Sequence, residues 1–506
     1  VKPTPMALSL YSELITDEIW AQQRLRYGYK DVRPNPLMIN FLGMPYIDLR
    51  TDFNSFLPKN LNESISKKVI DNAIKKLKKK PYLHDKIEFE LFETCYDFNS
   101  KNRINFLNYK DKRQYLDSLL ILTNNILSGK LMNDDVKLLN KLDSKILNLK
   151  KKKLSPIQEI YFLTHYCKIY GTLPFAGLAR CAFVSTKLIK TLNEKRIITQ
   201  DDVENFYKSI NNVSTQINND LFKNKKKITN FLKKYGHLRP ASYSISSKNY
   251  SENYNQYFNV SKIKLKKIKS FKFSKIQKLK IENLFKTYKL NINYKNFIKF
   301  LKKSIYYREY AKFKFTICIN LIFENLIKLG KEINIERKDF EILLIKEIIK
   351  HYNNLDIEKL KFGLNKNIKE NKLNFATMKY LDNPDLILNN KNFYEFQRIS
   401  SRGNYITKAD VNGEIYELSL KSKNYDMLNN KIVLIEKADP GYDFIFSYNI
   451  KALITKYGGA NSHMAIRCLE NKVPAIIGIG ANEYRKISNC KTLNINCFQR
   501  NYSTIS

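Results

Sequence analysis

"ALITKYGGANSHMAIRCLENKVPAIIGIG", residues 452–480, decides how the chain is read. Two short β-rich runs, "ALITKY" and "VPAIIGIG", flank "SHMAIRCLENK", which reads as one helix. A strand ending at Thr455, two glycines and a helix beginning near Asn461 or Ser462 make a short turn that aims free backbone amides at one spot. Gly458 and Gly459 permit positive φ and close backbone approach, and Thr455 and Ser462 can donate hydroxyl hydrogen bonds to an anion there. His463, one of five histidines in 506 residues, falls in the first helical turn. An imidazole so placed can be a neutral nucleophile and then carry a phosphoryl group whose charge the helix N-terminus stabilises. The plain alternative is a helix capped by Asn461 or Ser462 with an incidental histidine on it.

Outward from this stretch, "KIVLIEKADPGYDFIF" (431–446) adds a further β-rich run, giving an α/β domain over 405–506. The turn-rich segment "LDNPDLILNNKNFYEFQRISSRGN" (381–404) reads as a linker, set at 386–404. From 61 to 385 helical periodicity dominates. In "REYAKFKFTICINLIFENLIKLG", Phe313, Ile317 and Leu321 recur every four residues and Gly330 follows as an expected C-cap. Residues 1–60 carry more Pro and Gly and are expected to be irregular or extended, joining the helical lobe. The expected fold class is multidomain α + α/β, a mostly helical lobe followed by a C-terminal α/β domain.

A net charge of +41 would ordinarily point to nucleic acid or an anionic membrane. Composition weakens that inference. Lys, Asn, Ile, Tyr and Phe are all plentiful while Gly (15), Pro (13) and Trp (1) are scarce, the joint pattern of AT-rich coding DNA. The lysines are dispersed along helical stretches as solvated faces. Neither nucleic acid nor membrane is expected as a partner. Seven scattered cysteines, odd in number and without a CxxC pair, indicate neither a disulfide framework nor a zinc site, so a reducing cytoplasm and no metal centre are expected. No apolar run approaches the ~18 residues that cross a bilayer.

The string "TKYGGANSHMAIRCLENKVPAIIGIG" (455–480) resembles the signature of the phosphohistidine swivelling domain of phosphoenolpyruvate-utilising enzymes. The resemblance covers Thr455, Gly458, Gly459, Ser462 and His463, and implies that His463 carries the phosphoryl group. In that family the domain commutes between an ATP-grasp domain, which charges the histidine, and an acceptor domain, which discharges it. Two departures stand out. The chain ends 43 residues after His463, short of the barrel that handles phosphoenolpyruvate or pyruvate, and its first 380 residues hold no Gly-rich phosphate loop. With Val1 at the start, the expectation is that an N-terminal nucleotide domain is left out of this chain. ATP and Mg²⁺ would be bound mainly there, and this chain alone would be inactive with ATP.

The acceptor would then be held by residues 1–385. "PYIDLRTDFNSFLP" offers Asp48 and Arg50, on one side if extended; "YGHLRPASY" offers His237 and Arg239 in a turn closed by Pro240; "YYREYAKFKF" offers Arg308, Glu309 and Lys312. Each has a bland counterpart: a surface ion pair, a helix-terminus histidine, a solvated helix face. "YGHLRP" and "REYAKF" resemble acceptor-lobe segments of rifampicin phosphotransferase-like members. "PMALSLYSELITD", "PYIDLRTDFNSFLP" and "YGTLPFAGLARCAF", which contains Arg180, resemble a narrower group encoded with bacterial capsule genes. That likeness implies that ATP, L-glutamine and water give glutamine phosphorylated on its side-chain amide, AMP and phosphate, for capsule phosphoramidate. It also implies Arg239 and Arg308 as a phosphoryl clamp, Arg50 or Arg180 on the acceptor carboxylate, and Glu309, Asp48 or His237 as base. A different small acceptor, as in phosphoenolpyruvate synthase or an antibiotic kinase, and a non-catalytic basic binding module remain open alternatives.

Overall fold

The computed structural model describes all residues except 1–2, 85, 224–227, 259–267, 269, 354–355, 382, 397–402, 408, 420–424, 460–461 and 506. Up to Tyr380 the chain is mainly helical, and an α/β unit follows. The first 60 residues depart from the extended reading. They hold helices Pro5–Tyr11, Ile19–Arg26 and Leu49–Ser55 and a π-helical turn Ser12–Thr16, and within them a hairpin of β1 (Met38–Phe41) and β2 (Met44–Ile47). Capping is the reason. Thr4 accepts from the Ala7 N–H with Pro5 at the first helical position, and Asp48 accepts from the N–H groups of Arg50 and Thr51. Asp48 and Arg50 therefore open a helix instead of alternating along a strand.

Helix Tyr294–Ile333 runs 40 residues, about 60 Å, and serves as a spine. Its first half packs Phe297, Phe300, Leu301 and Ile305 with Leu178, Val184 and Leu188 of helix Leu173–Glu194. Its second half packs Phe315, Ile319, Ile322 and Phe323 with Ile157, Ile160 and Leu163 of helix Pro156–Tyr166. Gly330 does not end this helix. The cap is Asn334, in the left-handed region at φ 57, while Gly330 lies inside, where a Cβ would stand 2.5 Å from the Ile335 carbonyl oxygen. The glycine lets the chain fold back closely over the helix.

The C-terminal sheet contains β3 (Asn404–Ile406), β4 (Asp410–Glu417), β5 (Ile432–Lys437), β6 (Ala452–Tyr457), β7 (Ala475–Ile477), β8 (Thr492–Asn496) and β9 (Asn501–Ile505), in the order β3-β7-β6-β5-β4-β8-β9. β4, β5, β6 and β7 are parallel, and β3, β8 and β9 extend the edges antiparallel. The first four residues of β5 and of β6 are all buried, as in a parallel sheet covered on both faces. Alternation sorts their side chains. Ile432, Leu434, Ala452 and Ile454 pack with Tyr484 and Ile487 of helix Ala481–Ser488. Val433, Ile435 and Leu453 face Met464 and Ala465 of helix His463–Asn471. This second core continues into Val213, Ile217, Phe231, Tyr250 and Tyr257, from helices Val213–Lys223, Ile228–Tyr235 and Tyr250–Tyr257. Those helices, read from sequence as part of the 61–385 lobe, thus share a hydrophobic core with the sheet.

Candidate active site

His463 is the first residue of its helix, and Ser462 is the N-cap, its Oγ accepting from the Ala465 N–H at 3.3 Å. Asn461, the other cap considered from sequence, lies outside the described residues. β6 continues two residues past Thr455, whose Oγ1 accepts from the Gly478 N–H at 2.9 Å and ties β6 to the end of β7. Gly478 has φ +69 and Gly458 φ +136, and a Cβ on Gly478 would lie 2.1 Å from the Gly458 carbonyl oxygen. Thr455 and Gly458 therefore shape the turn that delivers His463. A Cβ on Gly459 would meet open space.

The imidazole is buried between two carboxylates. Nδ1 stands 2.5 Å from Oε2 of Glu309, on the spine helix, and Nε2 stands 2.7 Å from Oδ1 of Asp443, in the 3₁₀ helix Pro440–Ser447. Arg467, one turn along from His463, donates from Nε to the same Asp443 oxygen at 3.1 Å and from Nη1 to Glu470 at 2.7 Å. Ser214 donates to the other Asp443 oxygen. Burial alone would lower the His463 pKa, but Asp443 and Glu309 outweigh it and lift the ring to about 9. Burial likewise opposes the charge on Glu309, yet His463 draws that carboxylate down to about 2. Asp443 is also held well below its usual range, burial being overcome by His463 and Arg467. At neutral pH this is an imidazolium clamped by two carboxylates. Before a ring nitrogen can take a phosphoryl group it must lose both its proton and its carboxylate partner.

A cavity of about 20 Å³, lined by Ser214, Glu309, Lys312, Thr316, Asp443 and His463 among others, adjoins the ring. It has room for about one water.

The segment bearing Asp443 sits on the "GHLRPA" turn. A Cβ on Gly441 would lie 1.6 Å from the Arg239 carbonyl oxygen, Tyr250 donates to the Gly441 carbonyl at 3.0 Å, and Ser242 donates to Asp439 at 2.8 Å. Arg239 braces this turn from within, donating to the Ser247 carbonyl at 3.1 Å and to Asn320, with its guanidinium over the Phe323 ring. His237 donates from Nε2 to the Phe313 carbonyl at 3.2 Å, and burial pushes its pKa down to about 4, so it is neutral. Neither residue lines the cavity at His463.

The other sequence candidates spread over two further places. Arg308 Nε is 3.8 Å from Glu309, and its guanidinium lies over Phe183. Arg180, on the neighbouring helix, also lies over Phe183 and is paired with Glu88. Asp48 is a helix cap and Arg50 is exposed, 4.0 Å from Asp71; both line a separate cleft of about 520 Å³ that Tyr457 also borders. Of the three candidate bases, Glu309 is the one brought to His463. Asp443, Arg467 and Ser214 escaped sequence reading, although the i,i+4 spacing of His463 and Arg467 puts both on one helical face. Among the described residues no group of three or more His, Cys, Asp or Glu could hold a metal ion, so none is assigned to Mg²⁺. Nor is any helix among them long and apolar enough to cross a membrane.

Fold and site together define a class: a helix-rich region followed by an α/β domain that presents one histidine just beyond the carboxyl end of a parallel strand. Residues 428–500 match the family model described as PEP-utilising enzyme, mobile domain, which supports a phosphohistidine-based phosphotransferase family. No curated protein matches the chain.

Proposed function

We propose that the chain passes a phosphoryl group from His463 to L-glutamine, as an L-glutamine kinase of capsular phosphoramidate synthesis: ATP, L-glutamine and water give amide-phosphorylated glutamine, AMP and phosphate. The observation that carries this reading is the Glu309–His463–Asp443 array, in which the helix-rich region supplies a carboxylate to the candidate carrier. The likeness of the capsule-group strings supports glutamine as acceptor. In the transfer step the amide nitrogen attacks phosphorus, the bond from phosphorus to the ring nitrogen breaks, and its electron pair returns to the imidazole. The amide proton passes to Glu309 and on to His463, which restores the clamped imidazolium. Arg308 and Lys312 supply positive charge near the moving group, where the equatorial oxygens gather negative charge. Charging by ATP and Mg²⁺ belongs to an ATP-grasp domain, in cis or in trans, with His463 away from Glu309. A cavity of about 20 Å³ does not admit glutamine, so the acceptor enters with the α/β unit lifted from the spine helix.

Phosphorus NMR of the chain joined to an ATP-grasp domain, with ATP, Mg²⁺ and L-glutamine, tests this beside His463→Ala. A phosphoramidate resonance appearing with AMP only in the unmodified protein is the expected result. AMP and phosphate without that resonance would reassign the acceptor, and no ATP consumption would overturn the reading.

A further inference from the structure

Helix Ile19–Arg26 carries Trp20, Gln23 and Arg24 at i, i+3 and i+4, hence on one face, and Arg24 meets Arg180 of helix Leu173–Glu194. All four are at least nine-tenths buried, with exposures of 4%, 1%, 8% and 1%. The two guanidiniums share an aromatic shelf, at 4.3 and 5.0 Å from the Phe56 ring centre and 5.9 and 5.7 Å from that of Tyr29. Glu88 serves both, pairing with Arg180 at 3.1 and 3.2 Å and lying 3.7 Å from Arg24. Four N–H donors still find no partner among the described residues: Trp20 Nε1, Gln23 Nε2, Arg24 Nε and Arg180 Nε. Four unpaired buried donors on two helices that pack together are costly to the fold by itself and are explained by an acceptor that binds there.

Three π-helical turns belong to or precede the elements that carry this cluster. Ser12–Thr16 leads into the helix of Arg24, Ile87–Leu91 carries Glu88, and Cys167–Thr172 leads into the helix of Arg180. Thr172 Oγ1 joins the first to the third by donating to the Leu14 carbonyl at 2.6 Å. Such turns are rare and gather at functional sites. Charge selects the occupant. Two guanidiniums face Glu88 and Asp52, and burial pushes the Asp52 carboxyl up to about 7, so that with Asp52 protonated one positive charge is in surplus. A monoanion neutralises that surplus, whereas a dianionic phosphate would exceed it beside Glu88.

We propose that Trp20, Gln23, Arg24 and Arg180 bind the carboxylate of a small organic acid, the α-carboxylate of an amino acid foremost. This rests on the reading of the helix-rich region as the acceptor lobe. A run of contacts joins the site to the carrier: Arg180 and Arg308 lie over Phe183 at 5.4 and 5.2 Å, Arg308 is 3.8 Å from Glu309, and Glu309 is bonded to His463.

Titration calorimetry of the chain with L-glutamine, L-glutamate, glutarate and L-glutaminamide, which lacks the α-carboxylate, tests the site without requiring turnover. L-Glutamine is expected to bind the unmodified chain, and L-glutaminamide at least about tenfold more weakly. Trp20→Phe and Gln23→Leu should each weaken L-glutamine about five- to tenfold, with melting temperature unchanged or raised because each removes an unpaired buried donor. Arg180→Lys should weaken it further. Equal binding of L-glutamine and L-glutaminamide, full affinity in Gln23→Leu and Arg180→Lys, or no binding of any of the three acids at roughly 10 mM overturns the site. Carboxylate binding that follows these variants while no phosphoramidate forms would leave the site standing and sink the kinase reading.

Discussion

At the scale of single residues, the chemistry turns on how tightly His463 keeps its proton. Replacing Glu309 by Gln removes one of the two carboxylates that lift the ring to about 9, so its pKa should fall toward the ordinary 6.5, read by NMR titration of the imidazole. On the proposed reaction, the same variant should lose about 10²- to 10⁴-fold in transfer to the acceptor, the range of a general base, while ATP-dependent labelling of His463 stays near that of the unmodified protein. Equal losses in both half-reactions would mean that Glu309 acts on the fold instead. Asp443→Asn should be more damaging to stability. It removes one of the carboxylates that pair with the buried Arg467, and a loss of about 3 kcal/mol in a chemical melt is expected.

At the scale of elements, two glycines hold the site by what they lack. Gly478 sits at φ +69 against the Gly458 carbonyl, so Gly478→Ala should cost the α/β unit about 1–3 kcal/mol in denaturant unfolding. Gly441 is where the Asp443 segment touches the Arg239–Pro240 backbone. Gly441→Ala should push the two apart, lowering acceptor transfer by at least about tenfold while leaving His463 open to labelling. Transfer at the normal rate in Gly441→Ala would show that this contact is not needed for the reacting geometry. His237 and Arg239 gain a role at this scale, because they shape the turn on which that segment rests.

At the scale of the whole molecule, pH governs the contact between the α/β unit and the spine helix. The His463 pKa is raised from 6.5 to about 9, so its contribution is complete below pH 6.5 and is lost as pH rises through 9. Glu309 is lowered from 4.5 to about 2, so its contribution is present above pH 4.5 and is lost as pH falls toward 2. The contact is expected to be tightest between pH 4.5 and 6.5, and the alkaline loss is at most on the order of 3 kcal/mol. Hydrogen exchange in helix His463–Asn471 measures it. Protection should fall from pH 6.5 to 9 after correction for intrinsic exchange, and His463→Ala should abolish that slope; an identical slope in the variant would assign the effect elsewhere.

Neighbouring residues along the chain settle what is local. Two β-rich runs, a glycine turn and a capped helix put His463 at the head of that helix, because periodicity, capping and positive φ act over a few residues. The Asp48 cap is equally local, although the Pro and Gly around it favour an extended reading. Tertiary structure decided what faces His463. Glu309 lies 154 residues away in sequence, and Asp443 comes from the segment between β5 and β6. The same holds for the core that joins helices 213–257 to the sheet and for the meeting of Arg24 with Arg180. Apolar faces are interchangeable in sequence, so a hydrophobic pattern says that a face is buried without naming its partner. A side chain's charge state follows from that partner, which is why the protonation of His463 is settled only when distant helices pack.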